Sequence, residues 1–203
     1  QIPVIAIERE AEHISSVNTD NYMGALQATS LLIRDKCDIL IHINVNVNKS
    51  APAYDRIWAF QATCEEYHVP YDIDLSVKGA SYHELLDVIR EIFNKIESKY
   101  PDQKKGIFLA NDTYANMFLN LIFQKYGTFP STYEIVGFDN SPIASEAILP
   151  ITTIGQQIDV IAKTAMDLLV QQMEEQKKRV PKPLGEPIHK QITPILIRRN
   201  TTE

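Results

Sequence analysis

Short β-branched runs alternate along this chain with longer segments of helical period, the pattern of βαβ units around mainly parallel sheets. The extended runs fall at residues 3–7, 39–45, 73–77, 106–110 and 134–138. The clearest helix carries Tyr82, Leu85, Leu86, Ile89, Ile92, Phe93 and Ile96 at steps of three and four, and Ser81 with Glu84 reads as a capping box at its start. A helix over about 21–34 places Tyr22, Ala25, Leu26, Thr29 and Leu32 on one side, and another over about 112–126 places Ala115, Phe118, Leu119 and Ile122. A last long helix, about 156–176, shows Ile158, Ile161, Ala162, Ala165, Leu168, Leu169 and Met173, then runs into a charged stretch ending at Arg179 that suits a solvated helix end. Beyond Pro183, two short apolar runs at 188–192 and 195–198 fit antiparallel or edge strands.

Composition narrows the classes. The 203 residues are 44% hydrophobic and 23% charged, an ordinary globular balance that excludes disorder, collagen and coiled coil. Twenty Lys and Arg against 26 Asp and Glu leave a net charge of −6 and no dense basic block, so the chain is poorly suited to gripping nucleic acid. No apolar run has the length of a membrane span, and Gln1-Ile2-Pro3-Val4 lacks the layout of a secretory signal, which points to a cytosolic protein or a trimmed piece of one. Cys37 and Cys64 are too far apart for a CxxC pair and sit among apolar neighbours, as inert core thiols do.

Ligands of open parallel sheets bind beyond the carboxyl ends of the strands. Four successive strand ends here offer polar groups: a loop at 46–53 followed by Arg56, then 79–82, then Asn111 and Asp112, then Asp139 and Asn140. Arg56, in the first turn of a helix, opposes the helix dipole and so calls for a tertiary partner; a surface pairing with Asp55 or Glu65 is the alternative. Asp112 is explained as an N-cap, whereas Asn111 and Asp139 can bond adjacent hydroxyls of a ligand. The five histidines show no metal spacing, His42 reads as a core imidazole, and neither a nucleophile elbow, GxGxxG nor a P-loop occurs. The residues support a binding crevice without a catalytic set, metal or cofactor.

Several motifs in register resemble the lactose-repressor (LacI/GalR) family of transcription regulators. They are Val17-Asn18-Thr19-Asp20-Asn21 with Gly24, Arg56-Ile57-Trp58-Ala59-Phe60, Phe108-Leu109-Ala110-Asn111-Asp112, Ile135-Val136-Gly137-Phe138-Asp139-Asn140, 149–156, and the closing 193–199. Ala59 stands where the family usually has glycine, and Cys37-Asp38 replaces a usual Gly-His.

The resemblance implies two doubly wound, mainly parallel α/β lobes of periplasmic-binding-protein type I architecture, the first lobe incomplete. It implies a first lobe of residues 1–36 and 156–178, a second of 37–152 and 185–203, and crossovers near 35–38, 152–155 and 181–185. A small-molecule effector, a sugar or sugar phosphate, would lie between them, held by Asp20, Arg56, Asn111, Asp139 and Gln156, with Tyr22, Trp58, Tyr82 and Phe138 as candidates for an aromatic lining or for packing. The expected function is the non-enzymatic, cytoplasmic effector-binding core of a homodimeric repressor, reaching operator DNA only through a headpiece that would precede Gln1. A secreted sugar-binding protein of an import system is the alternative. An incomplete first lobe would leave the run at 3–7 as an unpaired edge, so the chain alone is expected to oligomerise or to be marginally stable.

Overall fold

The computed structural model describes residues 2–9, 12–49, 51, 53–79, 81–177 and 184–203. In chain order the elements are β1 (Ile5–Ile7), β2 (Ser15–Thr19), α1 (Asn21–Arg34), β3 (Ile39–Val45), α2 (Tyr54–Glu66), β4 (Tyr71–Val77), α3 (Tyr82–Lys99), β5 (Lys105–Leu109), α4 (Asp112–Tyr126), β6 (Tyr133–Asp139), α5 (Pro142–Glu146), β7 (Thr152–Gly155), α6 (Ile158–Gln176), β8 (His189–Ile192) and β9 (Ile195–Ile197). They build two sheets. The smaller has the order β1-β2-β8 and is parallel throughout; the larger has the order β4-β3-β5-β6-β7-β9, with only β9 antiparallel.

Alternation along the central strands gives the larger sheet two buried faces. Ile39, Ile41 and Ile43 of β3, with Ile107, Leu109 and Ile135, pack against α3 and α4. Leu40, Phe108, Val136 and Phe138 face the other way, onto Ala25, Ala28, Leu31 and Leu32 of α1 and Ala59, Phe60 and Cys64 of α2. The smaller sheet has its own cluster, in which Val17, Ile5 and Ile192 meet Ile161, Ala165 and Leu168 of α6.

This division differs from the one expected from the sequence. The resemblance places helix α1, with residues 1–36, in the first lobe, yet its apolar stripe lies on the larger sheet. Gly24 permits that approach, because a Cβ there would stand 2.7 Å from Phe138 Cε2. Strand β8, expected in the second lobe with 185–203 and as an antiparallel or edge strand, is indeed an edge but pairs in parallel with β2, Ser16 opposite His189. The chain therefore crosses between sheets after β2, after β7 and between β8 and β9. Residues 35–38 are a link inside the larger layer, and 152–155 is β7 itself. Of the expected crossover at 181–185, residues 181–183 lie outside the described residues, as does the charged tail from 178 on.

Local chemistry explains the helix starts that matter for the cleft. Asp20 caps α1, its Oδ1 accepting from the Met23 amide at 2.9 Å, and Ser81 caps α3. The cap of α4 is Asn111, whose Oδ1 accepts from Tyr114 N at 2.9 Å, and not Asp112 as expected. Asp112 is freed for a different use, described below. Both cysteines are buried free thiols whose ionisation burial pushes up to about 12.

Candidate functional site

Residues at the carboxyl ends of β5, β6 and β7 are bonded, directly or through Arg56, to residues at the carboxyl ends of β1 and β2, so the loops of both layers converge where the chain crosses over. Arg56, in the first turn of α2, reaches across this junction. Its Nε donates to Asn21 Oδ1 and its Nη1 to the Ala110 carbonyl, both at 2.7 Å. The guanidinium carbon lies over Phe138, 3.5 Å from the ring centroid. Neither Asp55 nor Glu65 supplies these contacts; the tertiary partners that a cation in this position calls for are Asn21 and a strand-end carbonyl. Burial lowers the Arg56 pKa to about 10 while Asp139 and Glu8 oppose the shift, so the group stays cationic at neutral pH.

A second line of bonds runs from one layer to the other. Gln156 Nε2 donates to Asp139 Oδ1 at 2.6 Å. The Thr19 hydroxyl sits 2.8 Å from both Gln156 Oε1 and Glu8 Oε1 and shares its one proton between them, while the Thr19 amide donates to Glu8 at 2.6 Å. Glu8 and Asp139, one carboxylate from each layer, are thus joined through an alcohol and an amide. Asp139 and Asn140 both have left-handed backbones, φ 102° and 55°, a strained pair for residues that are not glycine.

Several polar atoms here remain without a partner among the described residues: Arg56 Nη2, Asp139 Oδ2, Asn111 Nδ2 and Asp20 Oδ2. A cationic donor, an amide donor and two carboxylate acceptors suit a molecule carrying several hydroxyls. Beside them a cavity of about 540 Å³ is bounded by Asp139, Asn140, Gln156, Ile158, Val160 and Ile195. That volume is enough for a small polar ligand. Of the sequence-chosen residues only Asp139 and Gln156 line it.

The aromatic candidates separate. Tyr22 and Trp58 meet edge to face at 5.1 Å, with Trp58 57% exposed. Phe138 is fully buried beneath Arg56 and serves to present the guanidinium. Tyr82 packs on His83 at the start of α3, over the β4 edge, and joins none of the others. His42 is buried; its Nδ1 contacts the Phe108 carbonyl at 2.9 Å and its Nε2 the Asn44 amide at 3.1 Å, which fits a neutral ring protonated on Nδ1.

The sequence assigns no site role to Asn21, Thr19 or Glu8, although the first two stand in the motif at 17–21. Asn21 follows a capping Asp and looked like helix; Thr19 belongs to a strand too polar to stand out; Glu8 offered no periodic signal. Among the described residues no cluster of three or more His, Cys, Asp or Glu could hold a metal ion, and no helix is long and apolar enough to cross a membrane.

With this geometry in place, comparison with known proteins gives a consistent picture. A model of the periplasmic binding protein-like domain matches residues 31–202. The chain is 27% identical over 201 residues to a ribose operon repressor of Halalkalibacterium halodurans, covering 98% of this chain and 56% of that protein. It is also 27% identical over 178 residues to a sucrose operon repressor of Streptococcus mutans, covering 86% and 52% respectively. The chain thus spans about half the length of the curated relatives it matches. A solved periplasmic binding protein/LacI transcriptional regulator from Alkaliphilus metalliredigens, complexed with D-xylulofuranose, shares the fold at TM-score 0.78 and 24% identity, over 100% of this chain and 71% of that one. A LacI family regulator from Enterococcus faecium with bound ribose gives 0.76 and 20%, over 98% and 70%.

Proposed function

The chain belongs to the periplasmic-binding-protein-like family, and from that premise we propose that it is the effector-binding core of a sugar-responsive LacI-type repressor. The observation that carries this reading is the bonded line across the junction, Glu8–Thr19–Gln156–Asp139 beside Arg56–Asn21, which leaves hydroxyl-matching groups unpaired between two layers. The repressor relatives' names, and the sugars named in the two solved complexes, favour a sugar over a sugar phosphate.

In this proposal Asp139 and Asn111 grip adjacent hydroxyls, Arg56 supplies a rigid cationic donor, and Asp20 and Gln156 contact the ligand from the smaller layer and the crossover. Trp58 with Tyr22 covers an apolar ring face. The smaller sheet with α6 forms one lobe and the larger sheet with its helices the other. A ligand that bonds both favours one relative setting of the lobes, and in a homodimer this alters the spacing of DNA-reading segments carried elsewhere in the full-length, cytoplasmic protein. Such coupling is typically about 1–3 kcal/mol and reciprocal, so operator DNA changes effector affinity by the same factor. No catalytic step belongs to the scheme.

The test is a thermal-shift and calorimetry panel on full-length protein with D-ribose, D-xylulose, sucrose and their phosphates. A true effector at a hundred times its Kd adds about 2.7 kcal/mol of stability, read as a rise in melting temperature. Asp139→Ala and Arg56→Ala should abolish the shift with the fold retained. A shift that survives both places the site elsewhere.

A further inference from the structure

The buried carboxylate of Asp112 is not explained by any role so far assigned. It is 1% exposed, caps no helix, and yet collects three donors. Oδ2 accepts from the Ser141 amide at 2.8 Å and the Ser141 hydroxyl at 3.2 Å, and Oδ1 accepts from the Thr153 hydroxyl at 2.6 Å. The Thr153 oxygen in turn receives the Asn140 amide at 3.4 Å. On the other side of the same carboxylate lies the backbone of Gly137, where an added Cβ would run into Asp112 Oδ1.

These contacts bracket the strained pair. Residue 137 packs on the carboxylate, residue 140 is held through Thr153, and residue 141 is held directly, so the left-handed turn at Asp139 and Asn140 is fixed on each side. Arg199 adds a further hold, Nη2 to Asn140 Oδ1 at 2.7 Å. Strained backbone of this kind persists only where its surroundings hold it. The same carboxylate also ties together the three segments that carry proposed ligand groups: Asn111 is its chain neighbour, Asp139 lies in the bracketed turn, and Thr153 belongs to the strand that leads to Gln156.

We propose that Asp112 is a positioning residue for effector binding, setting the place of Asp139 against Gln156 and Asn111 through Ser141 and Thr153 without touching the ligand. The proposal rests on the sugar-site reading above for its functional meaning, but its geometric part is testable without any ligand. The reporter is the Gln156 side-chain amide, which donates to Asp139. Its NMR resonance, assigned through Gln156→Glu, should show hydrogen-exchange protection in the wild-type protein.

Asp112→Asn and, separately, the near-isosteric Thr153→Val should strip that protection at least tenfold. A core truncation remote from the brace, Ile96→Val, chosen for a similar loss of melting temperature, should leave it intact. D-ribose affinity, measured by calorimetry on the same proteins, should fall at least tenfold in the two brace variants and remain within twofold in the control. Unchanged Gln156 protection in folded Asp112→Asn or Thr153→Val protein overturns the proposal, as does equal loss in Ile96→Val. Should protection be lost as expected while wild-type protein binds no D-ribose, the brace stands and the ribose assignment falls. Intact D-ribose binding in Asp139→Ala would remove the sugar-site reading instead.

Discussion

His42 turns the buried face of the larger sheet into a measurable pH dependence. Its ring stacks on Phe108 at 4.6 Å, lies fully out of solvent, and is lowered from an ordinary 6.5 to about 3, chiefly by burial and further by the nearby Arg56 cation, against the pull of the Phe108 carbonyl. Above pH 6.5 the ring is neutral whether the chain is folded or not. As pH falls below 6.5 the unfolded chain takes up a proton that the native chain refuses until about pH 3, so stability is lost on acidification through that window. Each pH unit well inside it costs about 1.4 kcal/mol. Integrated from pH 7 to pH 5, this one residue costs about 2 kcal/mol. The assay is urea unfolding at pH 7, 6 and 5 for the wild-type protein and His42→Gln, comparing slopes with pH rather than absolute stabilities, since the substitution also disturbs the contacts to Phe108 and Asn44 at every pH. The wild-type curve should fall more steeply by about 2 kcal/mol. Parallel curves, or a His42 ring proton titrating near 6.5 in the folded protein, would refute the reasoning.

Two further outcomes follow from packing. Gly137→Ala pushes a methyl group into Asp112 and should cost about 2 kcal/mol by overpacking, seen as a melting temperature lower by roughly 4–8 °C; a neutral result would mean that α4 can retreat from β6. Trp58 is the sole tryptophan and is exposed; in the proposed site it lines the cleft, so an effector sugar should shift its emission, and Trp58→Ala should weaken binding about three- to tenfold with little effect on unfolding; an unresponsive Trp58 in a protein that binds sugar would remove it from the lining.

The elements with strong periodicity were readable: α1 and α4 lie over the residues their apolar stripes indicated, and Ser81 caps α3 as its spacing suggested. The polar strand Ser15–Thr19 gave no signal because its stability comes from two parallel neighbours rather than from β-branched side chains. The first crossover, which the resemblance places near 35–38, lies instead after β2, because the apolar stripe of α1 packs on the larger sheet. In the site, charge opposed to a helix dipole drew notice to Arg56, and strand-end position drew notice to Asn111 and Asp139. Which aromatic ring faces solvent depends on side-chain direction, and the contrast between buried Phe138 and exposed Trp58 was not visible in one dimension. Asp112 was assigned the cap that Asn111 takes, because both residue types cap helices and they are adjacent.

The pairing of Ser16 with His189 joins two strands 173 residues apart in sequence. During synthesis β3, β4 and β5 can pair with one another once Leu109 has been made, whereas β6 waits for β7 and β2 waits for β8, the last with the largest loop-closure cost outstanding. Nascent chains should therefore form the centre of the larger layer first and leave the smaller one unfinished until His189–Ile192 has emerged. A chaperone that holds strand edges would be needed most in that last interval.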